Sequence, residues 1–451
     1  MKERKLSAFD ATLLVMGSIV GIGIFFNPTQ IALKVSEPWA FMLLWGIGGI
    51  VALCAAFTFA ELAGTFPRTG GWFVYLREAF GPFPAYLFAW VVLFIVSSGA
   101  MAVIAGFFGD QIHRLLPALV GDTGSPSHAV VSLGSLAFLT GVALTGVKNA
   151  ATFQNISMFV KLAAILMLIV AGMVAIFGGS PSAAPVAEAI ERAPLWKGMI
   201  QALLPVFFSY GGWQLICYLA PEVKDPARTL PRAIVFGVLG VVVVYLSANW
   251  AFVAAFGLDG LAADQGFAAT LAERALGRSG EIILTSAIAV SALGVLMVNV
   301  VVAPWLYVAM AREGLFFQTV GRVHPRTGVP ANALFLQAAF TAIYFFADSL
   351  QGLIESIVFS EWIFHGLAAL ALLSLRTRSK NLPRPFKSPL YPLAPLIYLA
   401  CAVAIVVGTL ATSPFAKNRT GLITIGVGAA LYWPWRRFFG GTGSGLDRGN
   451  E

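Results

Sequence analysis

The chain has 451 residues, of which 58% are hydrophobic and 11% charged, with a net charge of +8 and a mean hydropathy of +0.83. Soluble domains carry about a quarter charged residues, so this composition excludes an ordinary soluble domain and describes an all-α chain that crosses a membrane many times. The three cysteines, Cys54, Cys217 and Cys401, all fall in or beside apolar runs, where cysteine behaves as a small hydrophobe and implies no disulfide framework.

A spanning helix needs about 20 mainly apolar residues. Such segments lie near 8–33, 39–64, 82–109, 129–147, 151–178, 198–220, 232–257, 281–311, 331–347, 350–375, 389–412 and 419–439. About twelve spans are therefore expected, an even number that puts both termini on one side. Met1–Lys5 leads into a run too long for the apolar core of a signal peptide and lacks a small-residue cleavage site, so the first segment is expected to be retained. With the N-terminus inside, twenty Lys and Arg residues occupy cytoplasmic positions and eight occupy outer loops. The positive-inside rule then places residues 1–7 and the Gly/Ser-rich tail 440–451 in the cytoplasm. The basic surplus is topological, and nucleic-acid binding loses its main support.

In the first segment, Gly17-Ser18-Ile19-Val20-Gly21-Ile22-Gly23-Ile24-Phe25 puts three glycines at the centre of an apolar run. Glycine is costly inside a continuous helix. One reading is a small-residue face for tight packing, since Gly17 and Gly21 are four apart. The other is a broken helix whose Gly21–Gly23 backbone lines a site, because unpaired peptide groups survive in a membrane only beside a cavity or a partner. A break would create a positive helix start suited to a carboxylate. It would also leave free carbonyls near Ile19 and Val20 suited to an ammonium. A zwitterionic amino acid carries both charges.

The fifth segment contains Lys161, about ten residues or ~15 Å from its start and thus near mid-bilayer. A charge at that depth costs at least ~2.5–3.5 kcal/mol, so it is expected to face a cavity or a partner. Its ammonium could stand where a sodium ion would sit, or carry a coupled proton. In the sixth segment, Phe207-Phe208-Ser209-Tyr210-Gly211-Gly212-Trp213-Gln214 repeats the glycine interruption, with the chain now running outside to inside. Two interrupted helices, five segments apart and opposite in direction, point to an inverted repeat with a midplane site. A break at Ser209–Gly212 would add carbonyls from the opposite side. Phe208 could close over a substrate or simply pack in the core, and Gln214 could hydrogen-bond near the pocket.

The eighth segment carries Asn299, which fits a helix-to-helix hydrogen bond better than a ligand. Glu361 and His365 in the tenth are four apart on one helix face, with Glu355 farther out. They either line the pocket, reading a side chain or relaying protons, or satisfy one another. Glu61, Pro67–Gly71, Glu222–Pro231 and Ala311–Phe317 sit at cytoplasmic helix ends, where their mixed charges suit an inner salt-bridge network.

Taken together, these motifs resemble the amino acid–polyamine–organocation superfamily, closest to its L-type amino-acid transporter branch. The resemblance is carried by Gly17–Phe25, Ala60–Ala63, Pro67–Gly71, Lys161, Phe208–Trp213, Glu222–Pro231, Ala311–Gly314, His324-Pro325 and Arg384–Phe386. It implies a LeuT-type fold with broken helices 1 and 6, five-helix inverted repeats over 8–178 and 198–375, and two further helices over 389–439. It also implies roles. The substrate carboxylate would meet the N–H groups of Ile22 and Gly23, and the amine the carbonyls of Ile19, Phe208 and Gly211. Phe208 would be the gating aromatic and Lys161 the sodium-replacing lysine. Gln214 stands where animal members commonly have Asn, and Glu361 where they have a neutral amide. Residues 110–128 lack the cysteine through which animal members join a glycoprotein, so no disulfide-linked partner is expected.

The reading that follows is a sodium-independent amino-acid carrier in the cell membrane, working by exchange or by proton symport. A channel would need a repeated filter or a charged ring, and a membrane enzyme a catalytic cluster such as H-E-x-x-H. Neither motif is present.

Overall fold

The computed structural model describes residues 6–177, 191–264, 266–347, 350–412 and 415–439. The proposed N-terminal segment up to residue 5 and the tail 440–451 lie outside the described residues. Among those described there is no strand, only an isolated bridge between Leu6 and Val223.

The chain opens with α1 (Ala8–Ile19) and α2 (Gly23–Ala32), followed by α3 (Pro38–Thr65) and the short α4 (Trp72–Phe80). Then come α5 (Pro82–Val91), a π-helical turn (Val92–Ser97) and α6 (Ser98–Leu115), which run as one rod. The first half closes with α7 (Pro126–Leu144) and α8 (Val147–Phe177). Next are α9 (Leu195–Tyr210), a 3-10 helix (Leu215–Glu222) and α10 (Pro226–Ala263). The latter bends at Gly257, whose φ of 65° an L side chain rarely adopts. The short helix α11 (Phe267–Leu276) comes before α12 (Arg278–Arg312). Last are α13 (Ala331–Ala347), α14 (Leu350–Arg378), α15 (Leu393–Thr412) and α16 (Phe415–Phe439).

Every apolar segment read from the sequence is thus helical. Ten spans among the described residues are long and apolar enough to cross a membrane, while α13 is a shorter apolar helix. Large apolar side chains stand exposed along the outside, including Phe138, Ile156, Phe236, Val243 and Val407. A belt of that size is a lipid-facing surface, not a soluble one.

Capping explains the entry into α1. Ser7 Oγ accepts from the Asp10 N–H at 3.2 Å, and the Asp10 carboxylate accepts from the Ser7 N–H at 3.0 Å. This reciprocal box satisfies helix-start donors that would otherwise be orphaned. Asp10 also accepts from Asn155 Nδ2 of α8 at 2.8 Å, tying the start of α1 to the lysine-bearing helix. The body of α1 packs on α8 and α10, while α12 packs on α6 and α8.

At one end of the bundle, Glu61 of α3 is 1% exposed and accepts two bonds from Arg376, at 2.7 and 2.5 Å. It also accepts from the Ser388 N–H at 2.7 Å, and Arg384 lies 3.4 Å away. Arg77 pairs with Glu313 at 2.6 Å, and Arg68 with Glu78 at 3.2 Å. The mixed charges at these helix ends do form ion pairs, as their sequence suggested. A buried carboxylate shared by two guanidiniums is costly to remove, because the arginines are then left unpaired. Glu61→Gln is expected to destabilise the purified protein by about 3 kcal/mol, read as a lowered thermal midpoint in detergent. An unchanged midpoint would show that the cluster contributes nothing to stability.

Candidate functional site

Both interrupted helices are broken, within two residues of the positions the glycines suggested. The first break is Val20–Ile22: α1 ends at Ile19, Val20 is extended (φ −71°, ψ 95°), and α2 starts at Gly23. The second starts after Tyr210, with Gly211 extended and Gly212 at φ +119° before the 3-10 helix.

The glycines serve close approach between the two breaks. A Cβ on Gly212 would lie 2.5 Å from the Ser18 carbonyl oxygen, and one on Gly23 would lie 3.0 Å from Ser209 Cα. Gly17 answers the packing reading instead, because a Cβ there would meet Gln154 of α8 at 1.9 Å. Packing and breakage are both real, at different glycines.

A helix end leaves its last carbonyls without intrahelical partners. At α1 they are met from outside the helix. Lys161, fully buried, donates to the Gly17 carbonyl at 2.9 Å and to the Val20 carbonyl at 2.8 Å. Tyr245 Oη of α10 donates to the Ile19 carbonyl at 3.0 Å. The carbonyls expected to await an ammonium therefore already hold one donor each. Lys161 faces its partners from behind α1.

The breaks open into a cavity of about 160 Å³. Since one water occupies about 30 Å³ of liquid, a small zwitterion can be accommodated. Ile19, Gly21, Ile22, Gly23, Phe208, Ser209, Gly211, Gln214 and Glu361 all line it. Val20 and Lys161 are not in the lining. Ser209 Oγ donates to the Pro205 carbonyl at 2.8 Å and accepts from Asn27 Nδ2 at 2.7 Å. Its hydroxyl is a tie between α9 and α2 as well as a wall. Phe208 is partly buried at the cavity edge.

The opposite wall is polar and aromatic. Gln214 Oε1 accepts from the Gly212 N–H at 3.2 Å, and its Nε2 donates to Glu361 Oε1 at 2.9 Å. His365 Nε2 is 3.8 Å from the same oxygen, and its Nδ1 is hydrogen-bonded to Tyr398 Oη of α15. The imidazole ring packs among Trp72, Trp213 and Trp362, with centroids 4.8, 5.7 and 5.0 Å away. Glu361 and His365 thus both line the pocket, while each takes its hydrogen bond from elsewhere, Glu361 from Gln214 and His365 with Tyr398. Glu355 lies on α14, its side chain outside the described residues.

Several lining residues were not singled out from the sequence. Tyr218, Ser97 and Trp362 line the cavity. Asn299 lines it too, while its Nδ2 donates to the Val295 carbonyl of its own helix at 3.1 Å. The neighbouring helix is reached differently: Gln337 of α13 donates to the Asn299 carbonyl at 3.2 Å. Among the described residues no group of His, Cys, Asp and Glu is placed to hold a metal ion.

A helical membrane bundle with two unwound helices around a largely apolar cavity that holds a few polar groups suits a carrier of small solutes. Residues 6–431 match the family model described as amino acid permease, so the chain belongs to that family, within the amino acid–polyamine–organocation superfamily. Among similar proteins is the human (Homo sapiens) cystine/glutamate transporter, 28% identical over 440 residues, 96% of this chain and 85% of that one. The serine/threonine exchanger SteT of Bacillus subtilis (strain 168) is also 28% identical, over 96% of this chain and 97% of that one. The human b(0,+)-type amino acid transporter 1 is 27% identical over 91% of this chain and 84% of that one. The chain is a multi-pass amino-acid transporter and not an enzyme.

Proposed function

We propose that this protein exchanges amino acids across the cell membrane without sodium, by alternating access around the paired breaks. The observation that carries the reading is Lys161: its ammonium occupies the Gly17 and Val20 carbonyls, where a coupling cation would otherwise bind. Backbone at the start of α2 supplies N–H groups of Ile22 and Gly23 to the substrate carboxylate, as a positive helix end favours. The amine is received by the free lone pair of the Ile19 carbonyl and by the carbonyls of Phe208 and Gly211. Phe208 closes over the bound substrate. In this reading the chain forms twelve spans in a LeuT-type arrangement, with repeats over 8–178 and 198–375, two further helices over 389–439 and both termini in the cytoplasm. The cluster around Glu61 then lies on the inner side. Residues 110–128 contain no cysteine, which supports a carrier working without a disulfide-linked subunit.

Purified protein in liposomes tests this. Labelled amino acid is expected to enter only against a pool of internal amino acid, at the same rate in sodium and in choline buffer. Uptake that requires sodium would refute the role given to Lys161. Uptake into empty vesicles driven by an inward proton gradient would replace exchange with proton symport.

A further inference from the structure

Among the residues lining the cavity there is no lysine or arginine, and Glu361 is the one carboxylate. Its side chain keeps 23% of its surface exposed deep inside the bundle, on the cavity side. Only Oε1 is engaged, by Gln214 at 2.9 Å. His365 at 3.8 Å is beyond hydrogen-bond reach, and its other nitrogen is given to Tyr398. Lys161 is fully buried and committed to α1 carbonyls. Ionised groups inside a membrane protein are disfavoured unless paired. No protein cation is within ion-pair distance of Glu361 apart from that histidine, among the described residues.

The walls beside it have a matching character. Trp213, Trp362, Phe207 and Phe208 line the same cavity. Aromatic faces attract cations, so a cavity that combines them with a carboxylate suits a cationic group. A substrate side chain ending in a carboxylate would meet Glu361 as a like charge.

We infer that Glu361 is a specificity-determining residue that selects amino acids whose side chain ends in an ammonium or guanidinium group. The inference rests on the transport reading above and names the substrate class of that site. The backbone breaks hold the α-amino and α-carboxylate groups common to all amino acids. Glu361, with Gln214 fixing one of its oxygens, reads the far end through Oε2.

Competition in liposomes loaded with unlabelled arginine separates this from its alternatives, using labelled arginine and neutral partners of equal size. Arginine is expected to inhibit uptake about tenfold or more better than citrulline, and lysine better than norleucine by a similar factor. Glutamate is expected to compete poorly. In Glu361→Gln the arginine-to-citrulline ratio should fall towards unity, while Glu361→Asp should retain part of it. The wild-type ratios decide the matter even if a variant does not fold. Citrulline or norleucine competing as well as its charged partner would overturn the inference and leave the carrier reading intact, as would a preference that survives Glu361→Gln. If no amino acid exchanges at all, both readings fall.

Discussion

Replacing Gly212 with alanine is expected to lower exchange by about 30-fold or more, the equivalent of at least 2 kcal/mol in the working conformation. Two independent costs converge on this residue. Its φ of +119° lies in a region that L side chains rarely adopt, which alone is worth about 1–3 kcal/mol. The added Cβ would also sit 2.5 Å from the Ser18 carbonyl oxygen and 2.8 Å from its carbon. Those are backbone atoms, so no rotamer change relieves the clash, and overpacking adds about 1–3 kcal/mol. Relief would require the two unwound segments to separate. The hydrogen bond from Ser18 Oγ to the Gly212 carbonyl, at 3.0 Å, would be lost with them. So would the Gly212 N–H contact to Gln214 that positions Glu361. Gly46→Ala in α3 is the matched control, since its Cβ would have no heavy atom within 4 Å. Counterflow rates, compared at equal recovery of monodisperse protein, give the answer. A Gly212→Ala protein as active as wild type would mean that close approach of the two breaks is dispensable.

The features legible in the sequence share a physical trait: each violates what an apolar span tolerates. Gly21, Gly23, Gly211 and Gly212 are visible because glycine weakens a helix, and Lys161 because a charge does not belong at mid-bilayer. Glu361 and His365 are visible for the same reason. What stayed hidden involves residues that violate nothing locally. Tyr245 is an ordinary aromatic in α10, and its role comes from donating to a carbonyl 226 positions earlier. Tyr218 and Trp362 fit any apolar helix, and only the assembled walls show that they face the cavity. Asn27 is an intermediate case. A polar residue just after the first break, preceding Pro28, is a readable signal, but its bonds to the Pro205 carbonyl and Ser209 belong to tertiary structure. The exact edges of both breaks shifted for a local reason. Tyr210 keeps helical geometry up to the extended Gly211, so α9 outlasts the position where small residues begin.

Lys161→Met is expected to reduce exchange by about 100-fold or more, and to do so without making the carrier sodium-dependent. The substitution keeps an unbranched chain of similar length and removes only the three donors, which separates charge from packing. Two hydrogen bonds from a charged donor disappear, at the Gly17 and Val20 carbonyls, each worth about 1.5–3 kcal/mol. They flank the point where α1 stops, so their loss frees Val20 from its extended conformation and leaves two carbonyls unpaired in a dry setting. Unsatisfied backbone at that depth favours rewinding of the helix, which would erase the carbonyl and N–H groups that a zwitterion needs. Tyr245 would still hold the Ile19 carbonyl, so the break is weakened rather than abolished, and substrate at high concentration should recover part of the rate. The readout is therefore a raised KM together with a lowered turnover in counterflow. Sodium should not restore either, because the thioether fills the space a cation would need. Normal kinetics in Lys161→Met would show that the ammonium is a passenger at the break, and sodium-restored transport would show that the site still binds a cation.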